Sequence, residues 1–271
     1  MIKSKKKLVY QYFRTSFDVI DKILNDFDKC CNVYWKEKNG NPKGRRIVYV
    51  TDSALKRLHK RILYDIFYKI ELPSCVMGGR KGFDHVDHAH NHKGRKYIFQ
   101  TDLSNFFPTV KSIDIKRALR REGFSNPNTN LITELTTYEG VLAQGFATSP
   151  CLSNIVFKEV DQEIFDYIRG KKILYTRFID DFAFSSNIDM EQHINAIIKI
   201  LSKNGYEISR RKTSYRNKRA NITGVNVGNN TIKPKKLFMD ADERNLSMEQ
   251  INGRRAYQKY VMTHKKNSKQ E

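Results

Sequence analysis

Two adjacent carboxylates, Asp180 and Asp181, sit in the apolar and aromatic stretch Tyr175-Thr176-Arg177-Phe178-Ile179-Asp180-Asp181-Phe182-Ala183-Phe184-Ser185-Ser186. The pattern predicts strand, tight turn, strand, with the pair at the tip. Asp is disfavoured in strands and favoured in turns, so a plain polar turn would account for one such residue. Two neighbouring carboxylates repel each other, and a simple hairpin needs no pair. A divalent cation changes the balance, because Mg²⁺ takes hard oxygen ligands and often uses only one or two protein carboxylates. A third carboxylate, Asp102, ends a second apolar run, Tyr97-Ile98-Phe99-Gln100-Thr101-Asp102, ahead of two aromatics. Three carboxylates at two strand ends suit a pair of metal ions of the kind that clamps the attacking and leaving oxygens in phosphoryl transfer.

Phe178-Ile179-Asp180-Asp181 resembles the Tyr-x-Asp-Asp box of reverse transcriptases, and the Asp102 stretch resembles their first catalytic Asp motif. Gln144-Gly145-Phe146-Ala147-Thr148-Ser149-Pro150-Cys151-Leu152-Ser153-Asn154 is similar to the long pattern Gln-Gly-x-x-x-Ser-Pro-x-Leu-Ser-Asn. Gly78-Gly79-Arg80-Lys81-Gly82 resembles the Gly-x-x-x-Gly-(Lys/Arg) segment of retron-type enzymes. Thr223-Gly224 resembles their Val-Thr-Gly motif. His88-Ala89-His90-Asn91-His92 resembles their Asn-Ala-x-x-His signature, carried by His88, Ala89 and His92, with His in place of the leading Asn. The motifs run in the family's order over residues 38 to 260, and the resemblance is to bacterial retron-type reverse transcriptases.

That resemblance implies an α+β right-hand polymerase: an antiparallel palm sheet backed by helices, helical fingers and a short helical thumb. The expected division is 1–94 for N-terminal helices and fingers, 95–228 for the palm with helices in 111–139, and 229–271 for the thumb and tail. The implied activity is RNA-directed DNA synthesis from deoxynucleoside triphosphates. Asp102, Asp180 and Asp181 are the implied catalytic residues. With Leu103 they form the metal set for two Mg²⁺ ions, for which Mn²⁺ can substitute. The chemistry expected there is acidification of the primer 3′-hydroxyl and neutralisation of the triphosphate and pyrophosphate.

Nucleotide contacts are expected from Lys38, Arg45 and Arg46, whose cations match phosphate oxygens, and from Ser104, Asn105, Phe106, Phe107, Gln144, Gly145 and Lys212. In the resembling family the Phe107 position is a steric gate against a ribose 2′-hydroxyl, and the Lys212 position is a general-acid candidate near the pyrophosphate. Gly145 is read as a place where backbone approaches a ligand closely. Arg80, Lys81, Thr223, Gly224, Arg254, Arg255 and Lys259 are the expected nucleic-acid contacts.

Charge points the same way. The chain of 271 residues carries 50 Lys and Arg against 29 Asp and Glu, a formal +21 spread along its length. A chain this basic meets a polyanion, and nucleic acid is the first candidate. No apolar stretch approaches a membrane span, and no apolar segment follows the basic N-terminus as a signal peptide requires. Cys30, Cys31, Cys75 and Cys151 fit neither a zinc site nor a disulfide framework, so a reducing cytoplasm is expected. The expected partners are an RNA template, a DNA or RNA primer and a dedicated structured non-coding RNA, in a retron or related anti-phage system. An effector protein and a homo-oligomer stay open. Three alternatives stand beside this reading: a polymerase working untemplated or from a protein primer, a catalytically silent RNA-binding scaffold, and a zinc protein built on the histidine tract.

The elements that must position these residues follow from periodicity. Residues 8–35 predict one or two helices, 39–44 a turn, and 45–50 a strand. Thr51-Asp52-Ser53 predicts an N-cap ahead of a helix striped by Leu55, Leu58, Ile62 and Ile66. A helix, turn, helix is expected over 111–139 with its break at Asn126-Pro127-Asn128, then helices over 151–168 and 189–204, a strand restarting at Tyr206-Glu207-Ile208, and a final helix over 246–260.

Overall fold

The computed structural model describes residues 2–38, 41–235, 239 and 246–265. In chain order its strands are β1 (Cys31–Lys38), β2 (Asn41–Thr51), β3 (Tyr97–Asp102), β4 (Thr137–Tyr138), β5 (Val141–Leu142), β6 (Leu174–Phe178), β7 (Asp181–Ser186), β8 (Ser214–Asn217), β9 (Ala220–Ile222), β10 (Val225–Val227) and β11 (Ile232–Pro234). The chain forms two compact units, Met1–Leu72 with Asn105–Lys158, and Pro73–Ser104 with Glu159–Glu271. Helices and antiparallel sheets together make it an α+β fold.

The first unit is mainly helical. Asp52 caps the Ser53–Asp65 helix, its carboxylate accepting from the Leu55 amide at 2.7 Å. Leu55, Leu58 and Ile62 are buried as the stripe requires. The helix also buries His59, whose Nε2 bonds the Leu135 carbonyl at 2.6 Å; burial pushes its pKa down to about 4, so the ring is a neutral core residue. Two expectations change here. Residues 31–35 belong to β1 rather than a helix, because Val33, Tyr34 and Trp35 favour extended backbone and β2 supplies a pairing partner. The break between the Ser112–Arg121 and Asn126–Thr136 helices precedes Asn126, and Pro127 sits in the first turn of the second, where its missing N–H costs nothing.

The second unit is built on a four-stranded antiparallel sheet in the order β6-β7-β3-β8. Its pairing sets Phe99 opposite Phe184, and Tyr175 stacks on Phe184 at 4.6 Å between ring centroids. A smaller sheet, β11-β10-β9, shares a core with the His85–His90 helix and the Met248–Thr263 helix through Val86, Ala89, Ile222, Val225 and Val261. The strand expected at 206–208 is reduced to one bridge, Leu103 to Ile208, and the basic run Arg210–Lys212 is a 3₁₀ turn before β8. The side chains of consecutive basic residues gain nothing from pleated burial, so the chain turns instead.

A fully buried ion pair lies inside this unit. Arg177, in β6, is fully buried and forms a two-point pair with Asp161 at 3.1 and 2.7 Å; Tyr175 Oη donates to the same carboxylate at 2.7 Å. Removing one member strands the other in low dielectric. Asp161→Ala is expected to lower unfolding free energy by about 3–5 kcal/mol, read by urea titration. Arg169→Ala, which breaks an exposed pair with Asp166, is expected to move it by no more than about 0.5 kcal/mol.

Candidate active site

The β3–β7 register places Asp102 directly opposite Asp181. Phe178 pairs with Asp181 across the turn, leaving Ile179 and Asp180 as a two-residue loop. The Leu103 amide donates to the Asp180 carbonyl at 3.0 Å, which ties the loop to the end of β3. The result is a cluster in which one carboxylate oxygen from each of Asp102, Asp180 and Asp181 lies within 4.8 Å of the others. Among the described residues it is the one grouping of three or more His, Cys, Asp or Glu set to share an ion, so the histidine tract forms no zinc site there.

The loop is strained. Ile179 has φ of 61°, a left-handed conformation that β-branched residues avoid and that costs about 1–3 kcal/mol. Arg177 and Gly78 support it. Arg177 Nη1 donates to the Ile179 carbonyl at 2.9 Å, so the buried ion pair also fixes the turn. Gly78 lies beneath it, where a Cβ would fall 2.8 Å from Ile179 Cγ1 and 2.9 Å from its nitrogen. Backbone bonds from Arg177 N to Cys75 O at 2.7 Å and from Met77 N to Arg177 O at 2.8 Å bind the Gly78 segment to β6. Sequence reasoning missed Arg177, Asp161 and Gly78 as supports of the site. A lone Arg in an apolar strand was the available signal.

Crowding shows in the protonation chemistry. Burial, then the Asp102 charge, pushes Asp180 up to about 6. Burial, then Asp180 and a hydrogen bond with Asp102, pushes Asp181 up to about 7. Lys212 Nζ lies 2.7 Å from Asp102 Oδ2. Partial burial works against the ammonium, and its bond to Asp102 and the two further carboxylates outweigh this, raising its pKa. A donor set of three hard carboxylates with an excess of negative charge fits Mg²⁺ or Mn²⁺. Leu103 is buried and offers an ion only its backbone carbonyl.

The remaining expected residues divide. In the second unit, Ser104 donates its amide to the Glu207 carbonyl, and Thr223 and Gly224, both at positive φ, form the turn between β9 and β10. Arg80 turns inward: its guanidinium reaches the Pro73 and Val76 carbonyls at 3.3 and 3.4 Å and lies 4.5 Å over the Phe83 ring, so it orders its own loop. Lys81, Arg255 and Lys259 are exposed, and Arg254 is half-buried. His88, Ala89 and His92 are buried, His88 and Ala89 within a helix. In the first unit, Phe106 is a core ring packed on Phe157 at 5.9 Å, and Phe107 beside it is half-buried. Asn105 is exposed with φ of 50°. Gly145 is required by protein backbone, since a Cβ there would sit 2.3 Å from the Tyr49 carbonyl; the Gln144 carbonyl accepts from the Tyr49 amide at 2.8 Å. Lys38, Arg45 and Arg46 fall in β1 and β2, and their side chains lie outside the described residues.

The raised carboxylates fix a pH dependence. Both folded pKa values exceed the ordinary 3.8, so their contribution to stability is complete below about pH 4 and is lost as pH rises through about 6 and 7. The buried neutral His59, His88 and His92 act in the opposite sense over part of this window. The clean quantity is therefore a difference. The gap in melting temperature between Asp181→Asn and the parent, both metal-free, is expected to widen in favour of the variant from pH 5 to 8. Millimolar Mg²⁺ is expected to narrow it by stabilising the parent.

Comparison with known proteins places this geometry. The family model for reverse transcriptase (RNA-dependent DNA polymerase) matches residues 36–227. The chain is 25% identical over 224 residues to the retron Ec86 reverse transcriptase of Escherichia coli, covering 81% of this chain and 70% of that one. It is 25% identical over 169 residues to the retron Se72 enzyme of Salmonella heidelberg and 27% over 206 residues to the retron Mx65 enzyme of Myxococcus xanthus, spanning 45% and 48% of their lengths. Among solved structures, telomerase from Candida albicans with a fragment of telomeric RNA superposes with a TM-score of 0.56 at 12% identity, over 80% of this chain and 50% of that one. The fold, the carboxylate cluster and the matched span agree: this chain belongs to the reverse transcriptase family, and the relatives it resembles are retron enzymes.

Proposed function

We propose that the protein copies a dedicated structured RNA into DNA by nucleotidyl transfer at the Asp102, Asp180 and Asp181 cluster, as part of a bacterial retron or related anti-phage system. The observation that carries the reading is the cluster itself: three carboxylate oxygens within 4.8 Å, held together by strain and a buried ion pair that a merely structural turn would not need. Asp102 and Asp180, with Asp181, would hold two Mg²⁺ ions, which when bound supply acidification of the primer hydroxyl and neutralisation of phosphate charge. This chain's own residues do the rest. Lys212 stays protonated at neutral pH and sits on Asp102, so its ammonium can donate to the departing phosphate oxygen. The surplus of 50 basic over 29 acidic residues tracks template and primer.

In functional terms residues 1–94 serve as fingers, 95–228 as palm and 229–271 as thumb, a division that the two compact units cut across. Phe107 is the proposed gate for deoxynucleotides, and Lys38, Arg45 and Arg46 the proposed triphosphate contacts. Arg255 and Lys259 are exposed on the Met248–Thr263 helix, where they can meet the duplex backbone. No helix among the described residues is long and apolar enough to cross a membrane, which suits the proposed cytoplasmic role.

The test is extension of a DNA primer annealed to RNA by purified protein with Mg²⁺ and deoxynucleotides. Template-length DNA is expected. Asp180→Ala and Asp181→Ala are each expected to lower the rate at least about a hundredfold while leaving the melting temperature at or above the parent value. Lys212→Ala is expected to lower it roughly 10²–10⁴-fold. Product that ignores template sequence would favour an untemplated or protein-primed polymerase. Loss of folding in both Asp variants would make these residues structural and contradict the proposal.

A further inference from the structure

The His85–His90 helix joins the catalytic hairpin to the Met248–Thr263 helix. The His85 ring meets the Phe178 ring edge-on, 6.4 Å between centroids, and stacks on Tyr257 at 5.8 Å. Its Nε2 lies 2.9 Å from Tyr257 Oη. Phe178 is the residue that opens the Ile179-Asp180 turn. Two carboxylates at the start of the same helix complete the joint. Tyr260 Oη donates to Asp84 Oδ2 at 2.6 Å, and His264 Nε2 lies 2.9 Å from Asp87 Oδ1. A carboxylate only accepts, so His264 carries a proton on Nε2.

Both carboxylates are fixed by a capping box. Asp84 Oδ1 accepts from the Val86 and Asp87 amides at 2.7 and 3.1 Å, and Asp87 Oδ2 accepts from the Asp84 amide at 2.9 Å. Each residue thus spends one oxygen on the cap and gives the other to Tyr260 or His264. The chain just before them is tied to the catalytic hairpin, through Gly78 beneath Ile179 and the Met77 amide on the Arg177 carbonyl. Helical spacing decides what the joint controls. Tyr257, Tyr260 and His264 are three and four residues apart and share one face. Arg255 and Lys259, also four apart, each lie two residues from Tyr257, about 200° around a helix. Docking the first face therefore aims the second, on which Arg255 and Lys259 are both exposed.

We infer that Tyr260 and His264 are positioning residues. Pinned to Asp84 and Asp87, they set the roll of the Met248–Thr263 helix, so that Arg255 and Lys259 face the template–primer backbone at a fixed place relative to the catalytic hairpin. Tyr260 and His264 touch no nucleic acid themselves. The inference rests on the polymerase reading, and it gives the start of the histidine tract a role in aiming the last helix.

The test is binding of a fluorescent DNA primer annealed to RNA, read by anisotropy over a KCl series at pH 8 with the full chain. Each phosphate contact contributes about 0.9 to the slope of log affinity against log salt. Arg255→Ala with Lys259→Ala is expected to lower that slope by roughly 1 to 2. Tyr260→Phe with His264→Ala keeps every Lys and Arg, yet is expected to lower it as much and to raise Kd roughly 3- to 10-fold. His264→Gln, which returns an amide donor near the Nε2 position, is expected to recover the parent slope. Added to Arg255→Ala and Lys259→Ala, the Tyr260 and His264 changes are expected to cost nothing further. A slope kept at the parent value in the folded Tyr260→Phe, His264→Ala variant overturns the inference, even where its melting temperature falls. Additive losses in the fourfold variant overturn it too. Tyr260→Phe alone removes one oxygen from an exposed ring and decides the matter if the double variant fails to fold. A parent that binds this duplex and extends no primer overturns the polymerase reading itself, a result distinct from these.

Discussion

Three carboxylates that repel one another must be held within 4.8 Å before any cation arrives, and the second unit is arranged around that constraint. Sheet pairing does the first part, since the β3–β7 register fixes Asp102 against Asp181 whatever their charges. The third carboxylate is harder, because Asp180 sits in a turn and would swing away. Its position depends on a left-handed Ile179, and that conformation survives because Arg177 grips the Ile179 carbonyl from inside the sheet while Gly78 leaves room below. Arg177 is itself tolerable only because Asp161 neutralises it. Asp161, Arg177, Ile179 and Asp180 thus form one mechanical line from the core to the reaction centre.

The electrostatic consequence runs the other way. Burial first, and then the neighbouring carboxylates, push Asp180 up to about 6 and Asp181 up to about 7, so the cluster takes up protons unless something better arrives. Lys212 relieves part of the charge from the solvent side. A divalent cation relieves more, so the repulsion among the carboxylates becomes affinity for metal. Function and strain are the same property seen from two sides.

Much of this was legible in the sequence because it resides in short, ordered signals. The strands ending at Asp102 and flanking Asp180-Asp181 and the Asp52 cap are each written in a few consecutive residues. What stayed hidden depends on distant partners. Residues 31–35 fall within the expected helical stretch and join a strand because β2 pairs with them. That position 145 needs a glycine against the Tyr49 carbonyl appears only in the fold. The hydrogen bonds of Arg80 to the Pro73 and Val76 carbonyls are likewise invisible in the sequence. His88 and His92 read as a family signature with zinc as an alternative, and their hydrogen bonds to Thr176 and Ser185, from two separate strands, appear only in the fold.

The central claim is that the hairpin is a preorganised, proton-holding divalent-cation site. The direct measurement is calorimetric titration of Mg²⁺ into metal-free protein in two buffers of different protonation enthalpy, at pH 6.5 and at pH 8.5. Binding with release of protons at pH 6.5, none at pH 8.5, and a reduced release in Asp181→Asn is the predicted result. Proton release equal at both pH values, or a binding signal that Asp181→Asn leaves untouched, would contradict it.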